Sequence, residues 1–245
     1  MRVGKGMVAI STLIISMTIM CCSITTGTTQ QVIAWHSSAP ARGPAVTTFF
    51  RFNVCSNNGR RSDLSKQGEV FIHTWDGGSL DGVEIYNNTF YWNPATNAAA
   101  FNSSDAMFSG SAPRFFKNNI VYSTVPDLIL TNSAFSLDNN IYWTTSESGS
   151  NLQFDGATYT SLTSYQIAAK QDAGSYYTDP LLNSANYHAA GRPATAFQLL
   201  PGSPAIGRGA NVCSGIGECS MGTQDFWGRR LSARREFNIG VDQEP

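Results

Sequence analysis

Charge is what this chain has least of. Asp, Glu, Lys and Arg make up 13% of its 245 residues, against about 25% in an average globular protein. The 16 Lys and Arg and 17 Asp and Glu leave a net charge of −1. Without a basic stripe there is no electrostatic footprint for nucleic acid. A long apolar run is missing too. Residues 7–22 are apolar apart from small hydroxyl side chains, which falls short of the roughly 20 residues that a membrane span needs. The length fits one domain.

What the chain does have is a recurring phrase. An alternating apolar run leads into an Asn-Asn pair, and a second apolar run carrying aromatics follows. It reads VEIYNNTFYW at 83–92, RFFKNNIVYS at 114–123 and FSLDNNIYWT at 135–144. A weaker copy, TFFRFNVCSN, occupies 48–57. Aligned on Asn53, Asn88, Asn119 and Asn140, the copies lie 35, 31 and 21 residues apart. Irregular spacings of this size, with one turn per copy, point to stacked coils in which insertions become loops.

Period-two alternation marks a strand with one inward face. Asn then bends the chain, because it tolerates the left-handed conformation better than other residues bearing a Cβ. Stacked corners let the side-chain amides hydrogen-bond from coil to coil. The alternative is three hairpin turns in an antiparallel fold. Hairpins favour Asn-Gly or Asp-Gly, and none of these three pairs is followed by Gly.

The pattern resembles the right-handed parallel β-helix of the pectate-lyase-like superfamily, where an Asn stands at the tight turn between the second and third strand of each coil. The resemblance extends over roughly residues 48–242. Residues 159–182 (YTSLTSYQIAAKQDAGSYYTDPLL) are similar to that family's late insertion, a short helix followed by an Asp-Pro motif. Asp172, Ser175, Asp179 and Pro180 match it and are read as loop-fixing. FQLLPGSPAIGRG at 197–209 and DFWGRRLSARREFNIG at 225–240 resemble its closing segments. The resemblance implies an all-β chain of about five or six coils with a C-terminal extension. Residues 28–47 show no strand pattern and read as a linker or remnant. No amphipathic capping helix precedes the first copy, which suggests the C-terminal part of a longer ancestral solenoid.

The N-terminus reads as a secretory signal over residues 1–27: Arg2 and Lys5 precede the apolar run, and small residues follow. An uncleaved anchor and a misplaced start are the other readings. Secretion would put Cys213 and Cys219, which flank a short Gly-containing loop, where a disulfide is favoured. Cys55 alternates inward and reads as a buried small hydrophobe. Asn87 and Asn102 head glycosylation sequons. Asn102 lies near a loop and is expected to be usable, whereas Asn87 sits at a stacked corner.

In the resembled family the substrate groove runs over the first strand of successive coils. Here those strands are expected at 69–76 (EVFIHTWD), 98–103 and 127–132. Val70, Ile72 and Thr74 are expected inward, and Phe71, His73, Trp75 and Asp76 outward. A ring such as Trp75 can stack on a sugar while polar neighbours fix its hydroxyls. The opposing reading packs Trp75 under the next loop.

Two reactions follow from the resemblance. A lyase abstracts the proton α to a uronate carboxylate. His73 is the best base, and Arg60, Arg61 and Lys66 are weaker candidates. A hydrolase needs two carboxyl groups across the glycosidic bond, for which Asp76, Asp81 and Asp105 are candidates. Asp63, Asp76 and Asp81, scattered over loop segments, are the candidate ligands for a calcium site. Each of these carboxylates also reads as a solvated turn residue. His36 and His188 receive no role. Arg229, Arg230, Arg234 and Arg235 form a basic cluster, read as a solvated turn or as a contact for an anionic glycan.

The expected function is a secreted, monomeric, carbohydrate-active protein that binds, and in one reading cleaves, an acidic polysaccharide. The competing reading is a non-catalytic or truncated module for surface binding or adhesion. Fold alone does not choose between them.

Overall fold

The computed structural model describes residues 34–35, 47–57, 68–74, 79–94, 98–183, 194–214, 221–231 and 237–243. The elements are almost all short strands in three sheets. The first sheet joins β1 (Ala34–Trp35), β4 (Val70–Ile72), β7 (Phe101–Asn102), β10 (Asp127–Thr131), β13 (Asn151–Phe154) and β14 (Ala157–Tyr159). The second joins β2 (Thr47–Arg51), β5 (Gly82–Tyr86), β8 (Arg114–Lys117) and β11 (Ser136–Asp138). The third joins β3 (Val54–Ser56), β6 (Thr89–Trp92), β9 (Ile120–Ser123), β12 (Ile141–Thr144) and β15 (Tyr176–Tyr177). Successive strands enter the three sheets in rotation, and each pairs in parallel with the strand three places on. The antiparallel β13–β14 pair departs from this pattern. The arrangement is all-β, mostly parallel, and compatible with a parallel β-helix.

Strands this short persist because every residue has neighbours on both sides. Ile85 pairs with Phe50 and Phe116, so one side-chain type stacks along a row. The inward rows fill the space between the sheets with Phe50, Ile72, Ile85, Phe90, Phe116 and Leu152. Phe90 stacks on Phe50 and Phe116 with ring centroids 6.3 and 5.8 Å apart, a spacing at which aromatic pairs attract. Cys55 is buried in the same core.

Each Asn-Asn pair turns the chain from the second sheet into the third. The first asparagine takes the left-handed conformation, with φ of 54° at Asn87 and Asn118 and 53° at Asn139. The second turns its amide inward and builds the ladder. Asn53 donates Nδ2 to Oδ1 of Asn88 (3.1 Å), Asn88 to Asn119 (3.0 Å) and Asn119 to Asn140 (3.4 Å). The same Oδ1 atoms accept the backbone N–H of the preceding copy at 2.9, 3.0 and 2.9 Å. Buried backbone donors at a corner are thereby satisfied without water.

The one α-helix among the described residues, α1 (Leu162–Ala169), is N-capped by Ser161 and ends at Lys170, whose φ is 53°. It lies within the stretch where the sequence suggested a short helix. Two differences stand out. Ala34–Trp35 forms a strand inside the stretch read as a linker. Two residues are too few to show a period, so nothing marked them. The C-terminal section does more than extend the fold. Its Ala205, Ile239 and Val241 pack with Tyr91, Ile120 and Ile141 on the outer face of the third sheet.

Candidate functional site

The first sheet positions the expected groove. Val70, Ile72 and Thr74 are buried, as their alternation required. Thr74 Oγ1 accepts the backbone N–H of Met107 (2.9 Å), which ties the loop after β7 to the end of β4. His73 is half-buried and stacks on Phe71, with centroids 5.3 Å apart and 14° between planes. Phe71 is not an accessible stacking face, since only 5% of its surface is exposed. Alternation set its direction correctly but could not show that the outward side is covered there.

Phe71 pairs with Asn102 on β7, and Asn102 with Leu130 on β10. Leu130 pairs in turn with Gln153 on β13. Two residues further along each strand, that register sets His73 beside Ser104, then Asn132, then Asp155. These four stand at the exits of successive strands. Asp155 is exposed, as is Asp105 next to Ser104. The rim is braced by its own hydrogen bonds. Ser104 Oγ donates to Asn102 Oδ1 (2.9 Å) and Asp105 Oδ1 (3.3 Å). Ser133 N donates to Asp155 Oδ1 (2.9 Å). The sequence placed Asn132 at the end of an expected groove strand without giving it a role, and it missed Asp155, which no repeat phrase includes. The signal was only its place after a strand.

The other candidates are dispersed. Asp81 accepts the N–H of Ala112 at 3.3 Å, beside the turn at Gly110. That contact fixes the entry to the second sheet, away from the rim. Trp75, Asp76, Arg60, Arg61, Asp63 and Lys66 lie outside the described residues, as do His36, His188 and residues 1–27. Cys213 is half-buried on the C-terminal section, and its expected partner Cys219 lies outside the described residues. Among the described residues no three His, Cys, Asp or Glu side chains gather as a metal site. Two of the three calcium candidates, Asp63 and Asp76, lie outside the described residues.

Both sequon asparagines are buried, Asn87 at 0% and Asn102 at 1% exposure. The expectation that Asn102 is open to modification does not hold in this fold. Its Oδ1 is turned onto the Ser104 N–H (3.0 Å) of its own sequon, as in an Asx turn. Arg229, from the basic cluster, is an ion-pair partner. Its Nη1 lies 2.7 Å from Asp242 Oδ1 and 3.9 Å from Asp225 Oδ2.

A cavity of about 560 Å³ lies elsewhere, in the C-terminal section, lined by Met221, Thr223, Gln224, Arg230, Leu231 and Phe237 among others. Among the described residues, neither Phe71 nor His73 lines it. The chain matches no family model, no curated protein and no solved structure.

Proposed function

We propose that this chain is a secreted right-handed parallel β-helix of the pectate-lyase-like kind that binds a polysaccharide across the rim of its first sheet. The observation that carries the reading is the row His73, Ser104, Asn132 and Asp155 at the exits of neighbouring parallel strands, with Asp105 exposed beside it. Parallel neighbours stand about 4.8 Å apart, close to the length of one sugar residue. A polar rim of that pitch can offer one hydroxyl partner per ring along an extended chain. Trp75 and Asp76, two and three residues beyond His73 in sequence, and Arg60 remain candidates for substrate contact and lie outside the described residues.

Cleavage is a separate claim. His73 is the base the lyase reading requires, and Asp76 with Asp105 is the pair the hydrolase reading requires. Asp81 has its own structural contact with Ala112 and supports neither. A binding module without catalysis is the second reading. It is favoured by the two exposed carboxylates, Asp105 and Asp155, which repel a polyanion and accept hydroxyls from a neutral glycan.

The test is a panel of uronate-containing and neutral polysaccharides, with and without calcium, scored for binding and for products. Ultraviolet absorbance of an unsaturated product would establish a lyase, and His73→Ala should then abolish it. New reducing ends without that absorbance would indicate a hydrolase. Binding without product, weakened about tenfold or more by Asp155→Ala (a loss of ~1.4 kcal/mol), would establish the module. No binding to any glycan by the folded protein overturns the proposal.

A further inference from the structure

The third sheet carries an aromatic row on its outer side. Tyr91 on β6 pairs with Tyr122 on β9, and Tyr122 pairs with Trp143 on β12. The row comes into the open as it runs. Tyr91 is 0% exposed and Tyr122 9%, whereas Trp143 is half-buried. The Tyr122 hydroxyl is pushed up by burial first and by the Asp179 carboxylate second, and a hydrogen bond with the Trp143 side chain opposes both. An indole N–H can only donate, so the Tyr122 oxygen accepts it. That bond fixes the angle of the Trp143 ring and occupies its one polar atom. What Trp143 has left to offer is an aromatic face.

Tyr177 meets that ring from the other side of the strand. On β15 it pairs with Tyr142, whose side chain belongs to the core between the sheets. Alternation alone would send Tyr177 inward as well. Among the described residues, however, β15 ends the third sheet, and no further coil stands ready to bury it. Tyr177 is 38% exposed, and its ring lies against Trp143 with centroids 5.5 Å apart and 49° between the planes. The two rings form one bent apolar surface at the end of the row.

Polar groups stand beside it. Asp179 is half-buried, and its Oδ1 accepts the backbone N–H of Leu181 at 2.9 Å. That bond fixes the loop and leaves Oδ2 as an open acceptor. Exposed Arg208 donates Nη1 to the Tyr176 hydroxyl (3.1 Å), with its guanidinium 5.3 Å from the centroid of that ring. A guanidinium has five N–H donors in a rigid fork, so others remain for a ligand.

We propose that Trp143 and Tyr177, with Asp179 and Arg208 beside them, form a saccharide-binding platform on the outer side of the third sheet. It is separate from the rim of the first sheet and does not rest on the reading of that rim. A sugar ring presents an apolar C–H face to an aromatic surface and hydroxyls at its edge. A hydroxyl both donates and accepts. Asp179 Oδ2 takes the donated hydrogen, and Arg208 supplies one to a sugar oxygen. The two charges offset each other, which matches the platform to a neutral sugar. A proline ring stacks on the same kind of surface, but it brings no donor to Asp179.

Proton–nitrogen NMR of the full-length protein tests the platform. The probes are cellohexaose, xylohexaose and mannohexaose, with a hexaproline peptide as control. The Trp143 indole N–H and the Tyr177 amide report the platform, and the amides of Ser104 and Asp155 report the rim in the same spectra. At least one saccharide should shift Trp143 and Tyr177 along a saturating curve. Tyr177→Ala should weaken that binding about tenfold or more, while Tyr177→Phe, which keeps the ring, stays within about threefold of wild type. Asp179→Asn keeps the bond to Leu181 and should cost about threefold or more, because a charged acceptor is stronger than a neutral one. If Tyr177→Ala does not fold, the wild-type shifts and Asp179→Asn decide the matter. Shifts at Ser104 and Asp155 with none at Trp143 would leave the rim reading standing and overturn the platform. Silence with every saccharide, affinity unchanged in both Tyr177→Ala and Asp179→Asn, or shifts produced by the peptide alone would overturn it as well.

Discussion

Asn118 meets two demands with one side chain. Its backbone sits at φ 54°, which costs an ordinary L-residue about 1–2 kcal/mol. Its amide also bonds both polar groups of Ala210, accepting from N at 3.0 Å and donating to O at 2.7 Å. Two substitutions separate these demands. Asn118→Gly keeps the backbone easy and loses the bonds; Asn118→Ala loses both. Denaturant midpoints should place Ala below Gly by ~1 kcal/mol, and both below wild type. Equal losses would mean that backbone strain is not what selects asparagine there. The first copy shows the strain uncompensated, since the corresponding position is Phe52, at φ 51°. That substitution is why the copy at 48–57 was faint in the sequence.

At the scale of elements, legibility followed repetition. The strands flanking Asn87-Asn88, Asn118-Asn119 and Asn139-Asn140 could be read because alternation and a turn residue recur together. The first-sheet strands expected at 69–76, 98–103 and 127–132 do contain β4, β7 and β10, but their edges were not legible, since β7 is two residues long and too short for any period to show. Covering segments leave no periodic trace either, so the burial of Phe71 and Asn102 was hidden. The turn that begins at Asp225 is a further case. Its arginines read as a basic patch, yet Arg229 is held between two carboxylates, Asp242 at 2.7 Å and Asp225 at 3.9 Å. Asp242 also accepts the N–H of Leu199 at 2.8 Å. Arg229→Met would leave a nearly buried carboxylate without its cation. Thermal or denaturant unfolding should show a loss of about 2–3 kcal/mol, with glycan binding unchanged. Unchanged stability with weakened binding would restore the basic-patch reading.

For the molecule as a whole, the third sheet separates two apolar regions. Its inner rows close the space between the three sheets, and its outer rows, with Tyr91, Ile120 and Ile141, meet the C-terminal section. The described residues of the C-terminal section, Ala205, Phe226, Ile239 and Val241 among them, therefore act as a cover for a face that a bare stack of coils would leave apolar. The cover is fastened at the corners: Gly240 N donates to Asn118 O (2.8 Å), and Asn87 Nδ2 donates to Asn238 O (3.1 Å). Gly240 makes the close approach feasible. Its φ is 90°, and a Cβ there would stand 2.6 Å from Ile120 Cδ1 and 3.0 Å from Thr89 Oγ1. Gly240→Ala should consequently lift the cover locally while the three sheets persist. Far-ultraviolet dichroism should stay strand-like, a dye specific for exposed apolar surface should bind more strongly, and unfolding should begin about 2 kcal/mol lower. If the dye signal and the melting transition both stay at wild-type values, the C-terminal section is an ornament on a face already stable in water. If both move, the fold needs its non-repetitive end as much as its ladder, because the repeat satisfies its own backbone but cannot bury its own outer surface.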